Sequence, residues 1–235
     1  PETFALHGGY DPSSCAGAVK MPVFATSTFK ASTAEELELW FRQAYGLDGP
    51  PQEPDGMVYS RVGNPNLQKV EKVWCVFEGA QETALFSSGM AAISTAIMAL
   101  CESGDIVLYS APVYGGTYFL LEKLLSKFGI RGEQFPVSMS TEAFEVFLGA
   151  HPERDRIKVL YLETPANPTL EIADIRGLCE VVHRVLSDPY VVVDNTVLGP
   201  LILKPLELGV DLVVHSATKS IGGHSDLIAG IVAGS

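Results

Sequence analysis

Lys219 sits in the stretch Ser216-Ala-Thr-Lys219, behind the apolar β-branched run Val210 to Val214 and ahead of Gly222 and Gly223. Such a run predicts a buried strand that delivers Ser216, Thr218 and Lys219 to its C-terminal end, the edge at which open α/β sheets bind ligands. A lysine there, flanked by hydroxyls and backed by flexible glycines, suits an amine that condenses with an aldehyde while the hydroxyls bind a phosphate. Taken alone, Lys219 reads as an ordinary surface lysine after a strand. The rest of the chain changes that reading.

Asp194 directly follows the buried run Tyr190-Val-Val-Val193, which places a carboxylate at the mouth of a second strand. A carboxylate in that position can keep a pyridine nitrogen protonated, or it can cap the turn through Asn195 and Thr196. Ser88, Gly89 and Met90 lie where a strand passes into a helix, so their backbone N–H groups can face an anion. Pyridoxal 5'-phosphate presents an aldehyde, a pyridine and a phosphate, and is the cofactor these residues imply. Tyr114, after the strand ending at Tyr109, can stack on a planar ring and move protons; packing over the sheet edge is the alternative. Asn167, in a loop stiffened by Pro165 and Pro168, can hold a ring substituent or a substrate carboxylate. Tyr59 and Arg61 offer a phenol and a fixed cation to a phosphate, with nothing in their spacing to say whose. His215 and His224 bracket the lysine and read as structural hydrogen-bonding groups, because no second pair of ligands stands at metal-binding spacing.

Elements must place these groups, and the sequence supplies them. Residues 1–64 form an arm with one helix from Thr33, a cap followed by Glu36, to about Tyr45, and a Pro-rich loop from Gly46 to Gly56. From Asn64 and Pro65 strands alternate with helices. Helices are expected over 65–78, 89–100, 117–128, 141–148 and 175–186, and strands over 84–86, 105–109, 131–136, 157–163, 190–193 and 210–214. That alternation predicts an α/β fold with a mostly parallel sheet covered on both faces, spanning 65–235. Leu227 to Val232 is a strand-like run in need of a neighbour, yet the sequence ends at Ser235, so a fragment is expected.

Composition narrows the class. A 47% hydrophobic, 19% charged chain with a net charge of −12 is ordinary for a globular protein and unlike one that binds a polyanion. No apolar run reaches the roughly 20 residues of a membrane span. Cys15, Cys75, Cys101 and Cys179 are scattered, which favours free thiols and a cytoplasmic location.

Tyr59-Ser-Arg-x-x-Asn-Pro65, Ser87-Ser-Gly-Met90, Val113-Tyr-Gly-Gly-Thr117, Glu163-Thr-Pro-x-Asn-Pro168, Asp194-Asn-Thr196 and Ser216-x-Thr-Lys-x-x-x-Gly-His-Ser-Asp226 occur in this order across nearly the whole chain. Together they closely resemble the Cys/Met-metabolism family of pyridoxal-phosphate enzymes, which includes the cystathionine synthases and lyases, methionine γ-lyase and O-acyl-homoserine sulfhydrylases. The resemblance implies a seven-stranded-type sheet, the large domain of fold type I, with a smaller C-terminal domain, and its carboxylate-gripping arginine, absent here. It implies that Lys219 is the covalent lysine and Asp194 the pyridine partner. Ser88, Gly89, Met90, Ser216 and Thr218 would bind phosphate, Tyr114 would stack and act as acid, and Asn167 would hold a ring substituent. Tyr59 and Arg61 would reach the phosphate of a neighbouring subunit, so that a dimer is the smallest complete site, usually within a homotetramer. The implied reaction is γ-replacement or γ-elimination on sulfur amino acids or O-activated homoserine, with no metal; β-elimination, or a truncated non-catalytic cofactor-binding module, is the alternative. The chain departs from the pattern at Asn66, Val197 and Ser220, and at Gly116, where methionine γ-lyases carry a Cys.

Overall fold

The computed structural model describes residues 2–48 and 56–234; most of the expected loop from Gly46 to Gly56 lies outside them. The chain divides into two compact units at the Val73–Trp74 bond. The first contains α1 (Glu2–His7), α2 (Ala34–Ala44) and most of α3 (Pro65–Glu78), joined by extended chain. Thr33 caps α2 by accepting from Glu36 N, while the Glu36 carboxylate takes Ser32 N at 2.6 Å. Asn64 caps α3 through Asn66 N at 2.9 Å. Asn66, one of the departures, has a structural use here: its amide accepts from Phe24 N and donates to Pro22 O, both at 2.8 Å.

In the second unit the described residues form a seven-stranded sheet: β1 (Glu82–Phe86), β2 (Ile106–Ala111), β3 (Arg131–Pro136), β4 (Ile157–Glu163), β5 (Tyr190–Asp194), β6 (Leu212–His215) and β7 (Gly230–Gly234). Their order is β1-β7-β6-β5-β4-β2-β3, parallel from β6 to β3, with β7 antiparallel to both β6 and β1. The apolar run near the C-terminus therefore has a neighbour on each side, and its strand begins three residues later than its hydrophobicity suggests. Gly230 explains the placement: a Cβ there would meet Ser88 O at 2.1 Å, so only glycine lets this strand pass under the start of the next helix.

That helix is α4 (Gly89–Leu100), capped by Ser88, whose Oγ accepts from Ala91 N at 3.0 Å. After β2, α5 (Gly115–Phe119) runs into one wide turn, Leu120–Leu124, and one tight turn, Leu125–Phe128, where the sequence predicts a single helix from Thr117. The other helices are α6 (Thr141–Gly149) and α7 (Ile175–Val185), the latter capped by Asp174.

Alternation along the strands sorts the core. Leu108, Leu160, Leu162, Val191, Val193 and Val213 pack beneath α6 and α7, while Val107, Tyr109, Val159, Tyr161, Val192 and Val214 face α4. Each of these buried side chains contributes about 1.5–3 kcal/mol. The same alternation continues past the apolar residues and fixes the side of the sheet on which Glu163 and Asp194 emerge. Among the described residues no helix is long and apolar enough to cross a membrane, and no cluster of His, Cys, Asp and Glu could hold a metal. Burial pushes the thiols of Cys101 and Cys179 up to about 12, which marks them as core filler.

Candidate active site

A cavity of about 510 Å³ opens at the C-terminal ends of the parallel strands. Ser88, Gly89, Met90, Tyr114, Asn167, Asp194, Ser216, Thr218 and Lys219 all line it, although they come from separate stretches of the chain. Tyr59 and Arg61 belong to the first unit, where the guanidinium carbon lies 5.5 Å from the centre of the Tyr59 ring.

Parallel pairing sets Asp194 opposite Glu163 at the ends of β5 and β4. Asp194 is buried, and neutral donors hold both its oxygens: Tyr161 Oη donates to Oδ2 at 3.2 Å and Thr196 N to Oδ1 at 3.0 Å. The Asx-type turn expected of Asp194 therefore coexists with its place in the cavity. Thr196 Oγ1 in turn accepts from Ser216 N at 2.8 Å, which joins the ends of β5 and β6. Burial raises the Asp194 carboxyl above the usual carboxylate range, against the hydrogen bonds from Thr196 and the charge of His215, which lower it. Burial, followed by the negative charge of Asp194, raises the Tyr161 phenol well above its ordinary value, so it stays a neutral donor.

The start of α4 abuts the end of β6. A Cβ on Gly89 would lie 2.7 Å from Ser216 Cβ, so glycine is required for contact between these two segments as well as for approach to an anion. Ser88 Oγ accepts the capping bond and keeps its own proton to donate. Thr218 differs: its hydroxyl donates to Ala229 O and accepts from Ala229 N, both at 3.1 Å, so its proton is committed within the fold. Lys219 is exposed and, among the described residues, enters no ion pair; its backbone closes the turn from Ser216 O at 3.1 Å. His215 pairs with Glu78 and His224 with Gly222 O, as expected for structural histidines.

The sequence reading named Glu163 and Thr196 only as motif and turn positions and did not single out Tyr161. The signal that picked out Asp194, an acidic residue ending a buried strand, also applies to Glu163. Tyr161 carries no such signal, because inside a strand it reads as core.

The family model for Cys/Met metabolism PLP-dependent enzymes matches residues 2–235. The chain belongs to that family. Among its relatives, the L-methionine gamma-lyase of Porphyromonas gingivalis is 40% identical over 240 residues, covering 99% of this chain and 54% of the relative. A cystathionine beta-lyase of Lactococcus lactis is 36% identical over 231 residues, 98% and 54% respectively. The solved structure of a putative O-acetylhomoserine (thiol)-lyase from Campylobacter jejuni, with pyridoxyl-lysine monophosphate, superposes with a TM-score of 0.86 at 28% identity over 99% of this chain and 53% of that one. The chain thus spans about half the length of these members of the family.

The cavity suits the family's pyridoxal phosphate. It holds two buried carboxylates on one face of adjacent strands, neither paired with a Lys or Arg among the described residues. A cationic ring nitrogen would offset that like-charge burial. An amine and a helix start stand within the same cavity for the aldehyde and the phosphate.

Proposed function

We propose that the protein acts on sulfur amino acids or O-activated homoserine by γ-elimination or γ-replacement, with pyridoxal 5'-phosphate as its cofactor. The convergence of Lys219, Asp194, Tyr114 and the start of α4 on one cavity carries this reading. When bound, the cofactor supplies an electron-poor ring that accepts the electron pair of a broken Cα–H bond. Lys219 would hold the aldehyde through its amine and, once the substrate amine has taken its place, would take the Cα proton; a second proton, lost from Cβ, then lets the γ-substituent depart. Asp194 keeps the ring nitrogen protonated. Ser88, Ser216 and the N–H groups of Gly89 and Met90 hold the phosphate, and Thr218 supports their strand end through Ala229. Tyr114 stacks on the ring and protonates the leaving γ-substituent; Asn167 orients a ring substituent. Tyr59 and Arg61 serve the phosphate bound by a neighbouring subunit, which makes a homo-oligomer the working form.

Relatives named as cystathionine β-lyases support β-elimination with the same residues as a second reading. Cystathionine separates the two: the full-length protein is expected to release 2-oxobutanoate, and pyruvate release overturns the γ-assignment. Added cofactor is expected to give a visible absorbance band that is lost in Lys219→Ala. A wild-type protein without that band overturns the whole proposal.

A further inference from the structure

We propose that Glu163 is a positioning residue, a single buried carboxylate that clamps the two loops carrying Tyr114 and Asn167 into the shape the cofactor requires. The inference rests on the cofactor reading above and adds a role for a residue outside its chemistry. Glu163 ends β4 and is 3% exposed. Its Oε2 accepts from Tyr114 N at 2.7 Å, and its Oε1 accepts from Asn167 N at 2.8 Å. One loop follows β2 and the other follows β4, so a single side chain sets their separation. Its own N–H donates to Ser110 Oγ at 3.2 Å, which ties the end of β4 to β2 just below the clamp.

On the Tyr114 side the residue's carbonyl accepts from Tyr118 N at 3.0 Å within α5. Tyr114 occupies the cap position of α5 without a side-chain cap bond, and the residue is 47% exposed. The Asn167 loop closes on itself through Ala166 N to Glu171 O at 2.9 Å and Leu170 N to Ala166 O at 2.6 Å, bonds that shape the loop without fixing it to β2. Only an acceptor with two anionic oxygens serves both amides. A glutamine turns an NH2 toward one of the two N–H donors, and an alanine serves neither.

A buried carboxylate without a cationic partner is costly, and an apolar side chain of the same size would suit the core better. Burial pushes the Glu163 carboxyl up to about 7 although both amides pull it down, and the charge of Asp194 adds to the rise. What the fold gains is a fixed spacing between an aromatic ring and an amide on opposite sides of the cavity.

The test compares wild type, E163Q and E163A, each titrated with pyridoxal 5'-phosphate and followed by visible circular dichroism and by thermal melting of the cofactor-free form. E163Q preserves size and one acceptor, so it reports on the clamp even if E163A fails to fold. The expected result for E163Q is a Lys219-dependent visible band, a cofactor Kd weaker by about tenfold, as one unmade bond to a charged acceptor gives, and a smaller ellipticity per bound cofactor. Melting of the cofactor-free form is expected to be unchanged or raised. Wild-type affinity and ellipticity in E163Q overturn the clamp, and so does a lowered melting temperature with unchanged ellipticity, the mark of a purely structural residue. A wild type without the Lys219-dependent band overturns the cofactor reading instead, which separates the two failures.

Discussion

The second unit buries acidic side chains in two places and treats them differently. Glu78, at the end of α3, meets His215 on β6, and both side chains are fully buried. At the mouth of β4 and β5, Glu163 and Asp194 accept only from neutral donors: backbone amides and the Tyr161 phenol. The first pair answers a carboxylate with an imidazole from the same chain, although Glu78 Oε2 and His215 Nδ1 find no further partner among the described residues. The second leaves two carboxylates side by side without a protein cation bonded to either, and their charge awaits a ligand. A structural site balances its own charge, whereas a binding site carries an imbalance that its occupant relieves.

Breaking the balanced pair should have the largest effect. Removing one partner strands the other without solvent, so His215→Leu or Glu78→Leu should each lower the stability of the cofactor-free chain by about 3–5 kcal/mol, while the double replacement should cost far less. Denaturant unfolding measures this, and equal losses in the single and double variants would show that the two do not act as a pair. Next is the unbalanced site. The Glu163 carboxyl is raised from 4.5 to about 7, so burial favours the protonated form in the cofactor-free chain although both amides bond the carboxylate. Its contribution is therefore complete below pH 4.5 and disappears as the pH rises through about 7, a change on the order of 3 kcal/mol. Unfolding curves of wild type minus E163Q across that window should show this slope; a flat difference would mean that the carboxylate sits comfortably where it is.

The sequence exposes this contrast only in part. Strand-to-helix alternation, the cap at Thr33 and the residues ending each strand were readable because they depend on local chemistry and period. Asp194 and Lys219 could be paired on paper because each stands at or just after the end of a buried run. The antiparallel entry of β7 was hidden, since a strand's direction depends on the path of the chain around α4 and on the tight fit of Gly230 against Ser88. The commitment of the Thr218 proton to Ala229 was hidden for the same reason: it needs β7 in place. Tyr161 escaped notice because a phenol in an apolar strand looks like core until its neighbour strand brings Asp194 within reach.

Asp194 and Tyr161 provide the finer tests. Asp194→Asn removes the charge and keeps the turn to Thr196, so the cofactor-free chain should melt no lower than wild type. Cofactor affinity should fall about a hundredfold, because a buried charge partner is lost. Unchanged affinity would mean that the charge imbalance at the β4 and β5 mouth is not what the ligand relieves.

Tyr161→Phe should have the smallest effect. The phenol–carboxylate distance of 3.2 Å is long for an O–H donor, so its loss should weaken cofactor binding only about fivefold, close to 1 kcal/mol. The direction with pH is the sharper readout. The Tyr161 bond lowers the Asp194 carboxyl, opposing the burial that raises it. Without the phenol, Asp194 takes up a proton at a higher pH, and the acid limb of cofactor binding should move upward in Y161F. A limb that stays in place would leave Thr196 and His215 as the groups that favour the charge of Asp194. The neutral donors at the cavity would then be packing, and the contrast with Glu78 and His215 would rest on burial alone.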